Sequence, residues 1–220
     1  YDETSDETYL GLTLSDFAAS PYRRYNGSGA DVMNVDHETF QLTHRFQISP
    51  NVSLTTLAYH HETARAWYKL NDVRNSAGAG WVGISSVVAN PGANALQMAD
   101  LIGAPGFTGR AGALRVRNNN RLYSASGVQS VVAVDVQTGA IDHGLEFSVR
   151  HHRDEEDRFQ QDDRYTMVNG RMVLASAGAP GSQTNRLGEA KAWSFFLRDE
   201  MAFGAFTLTP GLRYETIRLK

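Results

Sequence analysis

Alternation of apolar and polar residues over two adjoining stretches near the end of the chain constrains its fold most. From Ala190 to Phe203, Trp193, Phe195, Leu197, Met201 and Phe203 fall in one phase, against Ala192, Ser194, Arg198 and Glu200 in the other. After Gly204-Ala205, Phe206, Leu208, Leu212 and Tyr214 alternate with Thr207, Thr209, Arg213 and Glu215. A period of two sustained on both limbs predicts two antiparallel strands joined by a tight turn. Strands in soluble domains usually stop at about five or six residues. Longer ones, with one apolar and one charged face, suit the wall of a membrane β-barrel.

Seven strands are predicted: about Thr4–Leu14, His37–Ile48, Val52–Leu70, Arg121–Val136, Ile141–Arg153, Ala190–Phe203, and the limb after Gly204-Ala205. In the second, Phe40, Leu42, Phe46 and Ile48 oppose Thr39, Gln41, Thr43, Arg45 and Gln47. The third shows blurred alternation, and its faces stay unassigned. In the fourth, Val128, Val132, Val134 and Val136 are in phase; in the fifth, Ile141, Leu145, Phe147 and Val149 oppose Asp142, Glu146, Ser148 and Arg150. The connections alternate between short (49–51, 137–140, 204–205) and long (15–36, 71–120, 154–189). Long structureless loops argue against a compact soluble domain but fit a barrel with short periplasmic turns and long extracellular loops. Phe46, Phe203 and Phe206 fall near the short turns, and Trp67, Tyr68 and Tyr123 toward the long ones, where interfacial girdles belong. The expected fold is all-β, a fragment of an antiparallel transmembrane β-barrel. Seven strands leave two open edges, so further strands are required. With a first residue other than Met and strand-like sequence at both ends, residues 1–220 read as an interior piece of a barrel domain. A soluble or surface-exposed β-rich binding module, such as a carbohydrate-binding sandwich, is the alternative.

Composition narrows the function. The net charge of −3 lacks the basic excess of a nucleic-acid binder, so no nucleic-acid partner is expected. The absence of cysteine excludes thiolate metal sites and a cysteine nucleophile. No apolar run approaches the roughly 18 residues of a membrane helix. Neither a G-x-S-x-G elbow nor a paired-carboxylate arrangement occurs, so no catalytic residue, cofactor or resident metal is expected. Gly78-Ala79-Gly80-Trp81-Val82-Gly83 matches a dinucleotide fingerprint only formally, because no helical periodicity follows it. His60-His61 and His151-His152 are strand neighbours pointing to opposite faces, so neither pair chelates one ion. Asp154 to Asp157, with Asp162 and Asp163, interleaves with Arg153, Arg158 and Arg164 and reads as a self-paired, solvated loop.

Several segments resemble TonB-dependent receptors of the ferric dicitrate transport type. They are Asp6-Glu7-Thr8-Tyr9-Leu10-Gly11-Leu12-Thr13, Asp16-Phe17-Ala18, Pro21-Tyr22-Arg23-Arg24-Tyr25, Trp67-Tyr68-Lys69-Leu70, the run from Arg115 to Arg121 and the run from His151 to Phe159. The closing Pro210-Gly211-Leu212-Arg213-Tyr214-Glu215 resembles TonB-dependent barrels in general. The resemblance implies a Gram-negative outer-membrane barrel of about twenty-two strands closed around an N-terminal plug. It also implies a ferric chelate ligand, the TonB complex as partner, and contact with lipid and lipopolysaccharide. Ferric citrate is anionic, and guanidinium forks match carboxylates in a bidentate manner. Arg110, Arg115, Arg117 and Arg121 lie within a dozen residues, and Arg65 stands at the other base of the same loop. These five are the expected ligand contacts. Arg23 and Arg24 rank behind them, in a segment whose aromatic character suggests packing.

Overall fold

A computed structural model of the protein describes residues 1–76 and 80–220. The described residues form strands β1 (Asp2–Ser5), β2 (Val32–Ser49), β3 (Val52–Arg74), β4 (Trp81–Gly83), β5 (Leu114–Thr138), β6 (Ile141–Val168), β7 (Arg171–Ser176), β8 (Thr184–Phe203), β9 (Phe206–Leu208) and β10 (Gly211–Leu219). Helices α1 (Leu14–Ala19), α2 (Ile84–Ala89) and α3 (Ala95–Ile102) and a short 3-10 turn (Asn26–Ser28) complete them. The sheet runs in the order β1-β2-β3-β5-β6-β8-β10, with β4, β7 and β9 pairing to the sides of β3, β6 and β8. Each main strand lies beside its sequence neighbour, and β1 and β10 end the order without closing it.

The seven main strands and all three short turns agree with the sequence reading, but several boundaries do not. Strand β1 stops at Ser5, and the predicted first strand gives way to a loop and α1, whose N-cap Thr13 accepts a hydrogen bond from the Asp16 amide. Strand β5 begins seven residues before Arg121, and β6 continues past Arg153 to Val168. The third long connection is therefore mostly strand. Its turn is Asn169-Gly170, both with positive φ (49° and 76°), where Val168 pairs with Arg171. An Asn-Gly pair is the sequence signal for a two-residue hairpin turn, and it marks β7 without reference to periodicity.

The chain divides into two compact units. One comprises Tyr1–Asp36, Ala64–Arg121 and Asp157–Arg186. It holds an apolar core of Leu10, Tyr25, Leu70, Val73, Ile84, Val87, Met98, Leu101, Leu114, Val116 and Met167. Here residues 80–113 form β4, α2 and α3 in place of the expected structureless loop. Gly103 ends α3 in the left-handed conformation (φ 57°), with Met167 sulfur only 2.6 Å from where a Cβ would stand. Asn26, Gly109 and Gly112 tie this segment down through Asn26 Nδ2 to Gly103 O, Gly109 N to Met167 O and Gly112 N to Thr166 Oγ1.

The other unit comprises His37–Thr63, Leu122–Glu156 and Leu187–Lys220. The register between β8 and β10 places Leu197 opposite Leu212, Phe195 opposite Tyr214 and Trp193 opposite Thr216 on one face. Arg198 lies opposite Gly211, and Ser194 opposite Glu215, on the other. Arg198 pairs with Glu146 at 3.2 Å, and Ser194 Oγ donates to Glu215 at 2.7 Å. On the apolar side Phe40, Leu42, Phe46, Ile48, Phe147, Trp193, Leu197 and Leu212 are all exposed. Asp199 is the exception in the apolar phase, and His143 lies 2.9 Å from its carboxylate, with Thr138 on the other ring nitrogen.

A candidate anion-binding site

The sequence-predicted arginines all lie in the unit that carries the apolar core, and the structure gives them different tasks. Arg110 is committed to the loop. Its Nε and Nη2 donate to the Asp100 carboxylate at 2.9 and 2.7 Å, and its amide donates to the same group at 3.1 Å. The remaining donors reach the Asn75 and Arg74 carbonyls. Asp100 is almost wholly buried on α3, so this fork neutralises a carboxylate that has left water.

Arg115, Arg117 and Arg121 sit on β5 at two-residue spacing from one another or its multiple, so they share a face. Arg115 makes a bidentate pair with Asp72, Nε donating at 2.7 Å, and lies 3.7 Å from Asp162. Arg117 grips Asp162 with both arms of its fork at 2.7 and 3.0 Å. Arg121 Nε donates to Asn119 Oδ1 at 3.0 Å. Asp162 and Asp163 thus leave the acidic run to which sequence assigned them. Asp163 accepts from the Tyr68 hydroxyl at 2.6 Å and from the Gly178 amide at 2.8 Å. Tyr68, expected in an interfacial girdle, is drawn into that bond and a 2.9 Å contact with Tyr165. Within Asp154–Asp157, on strand β6, His152 meets Asp154 and Arg153 meets Glu155.

Two features escaped the sequence reading. The first centres on Trp81, the opening residue of β4. Arg115, Arg164 and Arg74 place their guanidinium carbons 4.4, 5.5 and 6.0 Å from the Trp81 ring centre. Among the described residues Arg74 and Arg164 have no ion-pair partner. Three guanidiniums therefore share one aromatic ring, with only Arg115 answered by carboxylates. The indole face attracts each cation modestly, about 0.5–1 kcal/mol at an exposed site. The pairing β3–β4, Arg74 opposite Trp81, holds the ring there. No periodicity reports this, because the three arginines come from β3, β5 and β6.

The second is Lys69. Its ammonium lies 3.6 Å from the centre of the Tyr9 ring and 4.0 Å from that of Trp67, and the two rings meet edge to face. The charges of Arg65, Arg117 and Arg121 press on it, and Asp31 opposes them. The surrounding loop is pinned by Trp67 Nε1 to the Glu7 carbonyl, Leu70 N to Asp31, and Thr8 Oγ1 to Asp31.

The remaining motifs carry little chemistry. Ala77, Gly78 and Ala79 of the glycine-rich segment lie outside the described residues. A helix does follow it, contrary to expectation, but α2 has six residues and no side-chain cap. The neighbouring histidines diverge as expected: His60 meets Glu62, whereas His61 meets Thr39. Among the described residues no three His, Asp or Glu side chains converge as a metal site. Arg23 packs over Tyr25 and pairs with Asp16, and Arg24 donates to the Asp6 carbonyl.

The family model for TonB dependent receptor-like, beta-barrel matches residues 1–220, the whole chain. The chain belongs to the TonB-dependent receptor β-barrel family. No curated protein matches it. Among solved structures, this family member is similar to the ferric citrate transporter FecA in its unliganded form, with a TM-score of 0.63 and 17% identity. That match covers 99% of this chain and 25% of FecA. It is also similar to BauA, the ferric preacinetobactin receptor from Acinetobacter baumannii, with a TM-score of 0.53, 9% identity, and coverage of 100% and 31%. At these identities the likeness establishes the fold. The chain spans about a quarter to a third of those receptors. The family is one of outer-membrane transport receptors, which displaces the soluble sandwich reading. No described helix is long and apolar enough to cross a membrane, a fact that does not bear on strands.

Proposed function

We propose that this chain supplies barrel wall and extracellular loops to an outer-membrane receptor that takes up a ferric chelate rich in carboxylates, of the ferric citrate kind. The plug and further strands come from elsewhere in the same receptor, and energy reaches it through the TonB complex. Chelate and protein exchange no covalent bonds in this reading. The apolar row through Phe195, Leu197 and Leu212 meets lipid, and the row through Arg198, Glu146 and Glu215 meets the plugged lumen.

The observation that carries the ligand class is the arrangement of Arg74, Arg115 and Arg164 around Trp81. Three cations on one ring repel one another, and a ligand with several carboxylates relieves that repulsion while pairing with planar forks. The two named relatives, a ferric citrate transporter and a ferric preacinetobactin receptor, support a ferric chelate as the cargo. Replacing Arg74 and Arg164 together by Ala in the complete receptor tests this, because neither substitution orphans a buried carboxylate. Ferric citrate affinity should fall at least about tenfold, equivalent to about 1.4 kcal/mol, with barrel assembly intact. Undiminished affinity would remove the cluster from the site. Substituting Arg115 or Arg117 is less informative, since each would leave Asp72 or Asp162 without its counter-charge.

A further inference from the structure

The environment of Lys69 is unusual for a lysine at a partly buried position. Among the described residues its ammonium has no ion-pair partner and stands against two aromatic faces, 3.6 and 4.0 Å from their ring centres. A strongly hydrated ammonium is normally released to solvent from such a place by rotation of its flexible stem. Here the Tyr9 and Trp67 rings hold it, and the Glu7 carbonyl fixes the indole through its N–H. Tyr9 is itself held in place, since the Asp31 carboxylate ties both Thr8 and the Leu70 amide together. Residues 7–10 thus act as a strap whose aromatic ring positions a cation.

We propose that Lys69 is an anion contact for a polycarboxylate, presented by the Tyr9–Trp67 pair. The lysine contributes a point charge that accepts any carboxylate orientation, whereas an arginine fork requires coplanar approach. The strap is a positioning element, because Tyr9 sets where the ammonium stands without supplying charge. This assignment deepens the proposed function, and it rests on that reading for the identity of the physiological ligand but not for the existence of the site.

Two measurements on the complete receptor in detergent test it. In the first, amine acylation at Lys69 is followed by peptide mass spectrometry, with metal-free citrate or with chloride at equal ionic strength. Citrate should slow modification of Lys69 several-fold, and chloride should not. Equal rates in the two salts would overturn the assignment, whatever the receptor transports. In the second, citrate binding is measured against salt concentration for wild type, Lys69→Met, Lys69→Arg and Tyr9→Leu. The Met variant should bind about tenfold more weakly and show a shallower salt dependence, Lys69→Arg should recover most of the affinity, and Tyr9→Leu should weaken binding with the wild-type salt dependence. Wild-type affinity and salt dependence in Lys69→Met would overturn the site. Protection by citrate in a receptor that takes up no ferric chelate would sink the transport reading and leave the Lys69 site standing.

Discussion

Tyr59 lies across the bare α-carbon of Gly127: a Cβ at that glycine would stand 2.4 Å from the Tyr59 hydroxyl oxygen. The glycine lets a side chain from β3 pass over β5 and reach β6. There the Tyr59 hydroxyl lies 2.6 Å from His152 Nδ1 and accepts from Arg150 Nη2 at 2.6 Å. An aromatic ring covering a strand glycine also protects a stretch of ladder that lacks its own side chain.

Gly127→Ala should expel Tyr59 from this position, since the backbone carbonyl of His151, 2.8 Å from the added carbon, blocks the opposite escape. The expected loss is about 1–3 kcal/mol, in the range for overpacking. Urea unfolding of the complete barrel in lipid would measure it. Tyr59→Phe should cost less, because it removes the hydroxyl and leaves the ring over the glycine. If Gly127→Ala were as stable as wild type, the ring would not be confined there.

The assignment of faces makes a separate prediction. Phe195 and Ser194 are neighbours on β8 with opposite orientations, Phe195 opposite Tyr214 and Ser194 opposite Glu215. Phe195→Arg should destabilise the assembled receptor by about 2–4 kcal/mol if the residue lies near the bilayer midplane. Ser194→Arg should be mild. The pair can be compared by folding into vesicles, and equal costs would contradict the lipid and lumen assignments.

Two loop carboxylates should respond to pH with opposite sign. The Tyr25 hydroxyl bonded to Asp16 at 2.5 Å, joined by the Arg23 charge, outweighs burial and holds Asp16 below its ordinary value of 3.8. Its contribution to loop stability is therefore present above that value and is lost as pH falls through the depressed one. Burial pushes Asp31 above 3.8, against bonds from Leu70, Thr8 and Tyr9 and the charge of Lys69. Its contribution is fully present below 3.8 and is lost as pH rises through the raised value. Labelling of Tyr9 by a neutral photoreactive probe should thus increase with pH above 3.8 in wild type. The increase should flatten in Asp31→Asn; an unchanged profile in that variant would assign the pH response to another group.

The strands were legible because a two-residue period is a local property. Alternation in Ile141–Arg153 and Ala190–Phe203 reports a sheet with two unlike faces, whatever pairs beside them. Boundaries were less legible where charge replaced hydrophobicity. The acidic run from Asp154 onward has no apolar face to alternate, yet backbone pairing with β7 and β8 keeps it extended to Val168. The segment after Asn75 read as loop because α2 and α3 are only six and eight residues long. Such helices are stabilised by packing Val87, Met98 and Leu101 into the core rather than by their own propensity.

The arginines divide along the same line. Residue type and clustering singled out Arg110, Arg115, Arg117 and Arg121, and the structure set the last three in a row on one face of β5. Sequence could not pair Asp162 with Arg117 across 45 positions, or Asp100 with Arg110 through a buried carboxylate. Nor could it bring Arg74 and Arg164 to Trp81, or Tyr9 to Lys69. By itself the sequence determined a long-stranded antiparallel sheet with sorted faces and short turns, because these follow from local periodicity and turn chemistry. Only the tertiary structure decided which cations are answered by carboxylates and which stand against aromatic rings, because charge pairing depends on distances between strands that sequence separation does not encode.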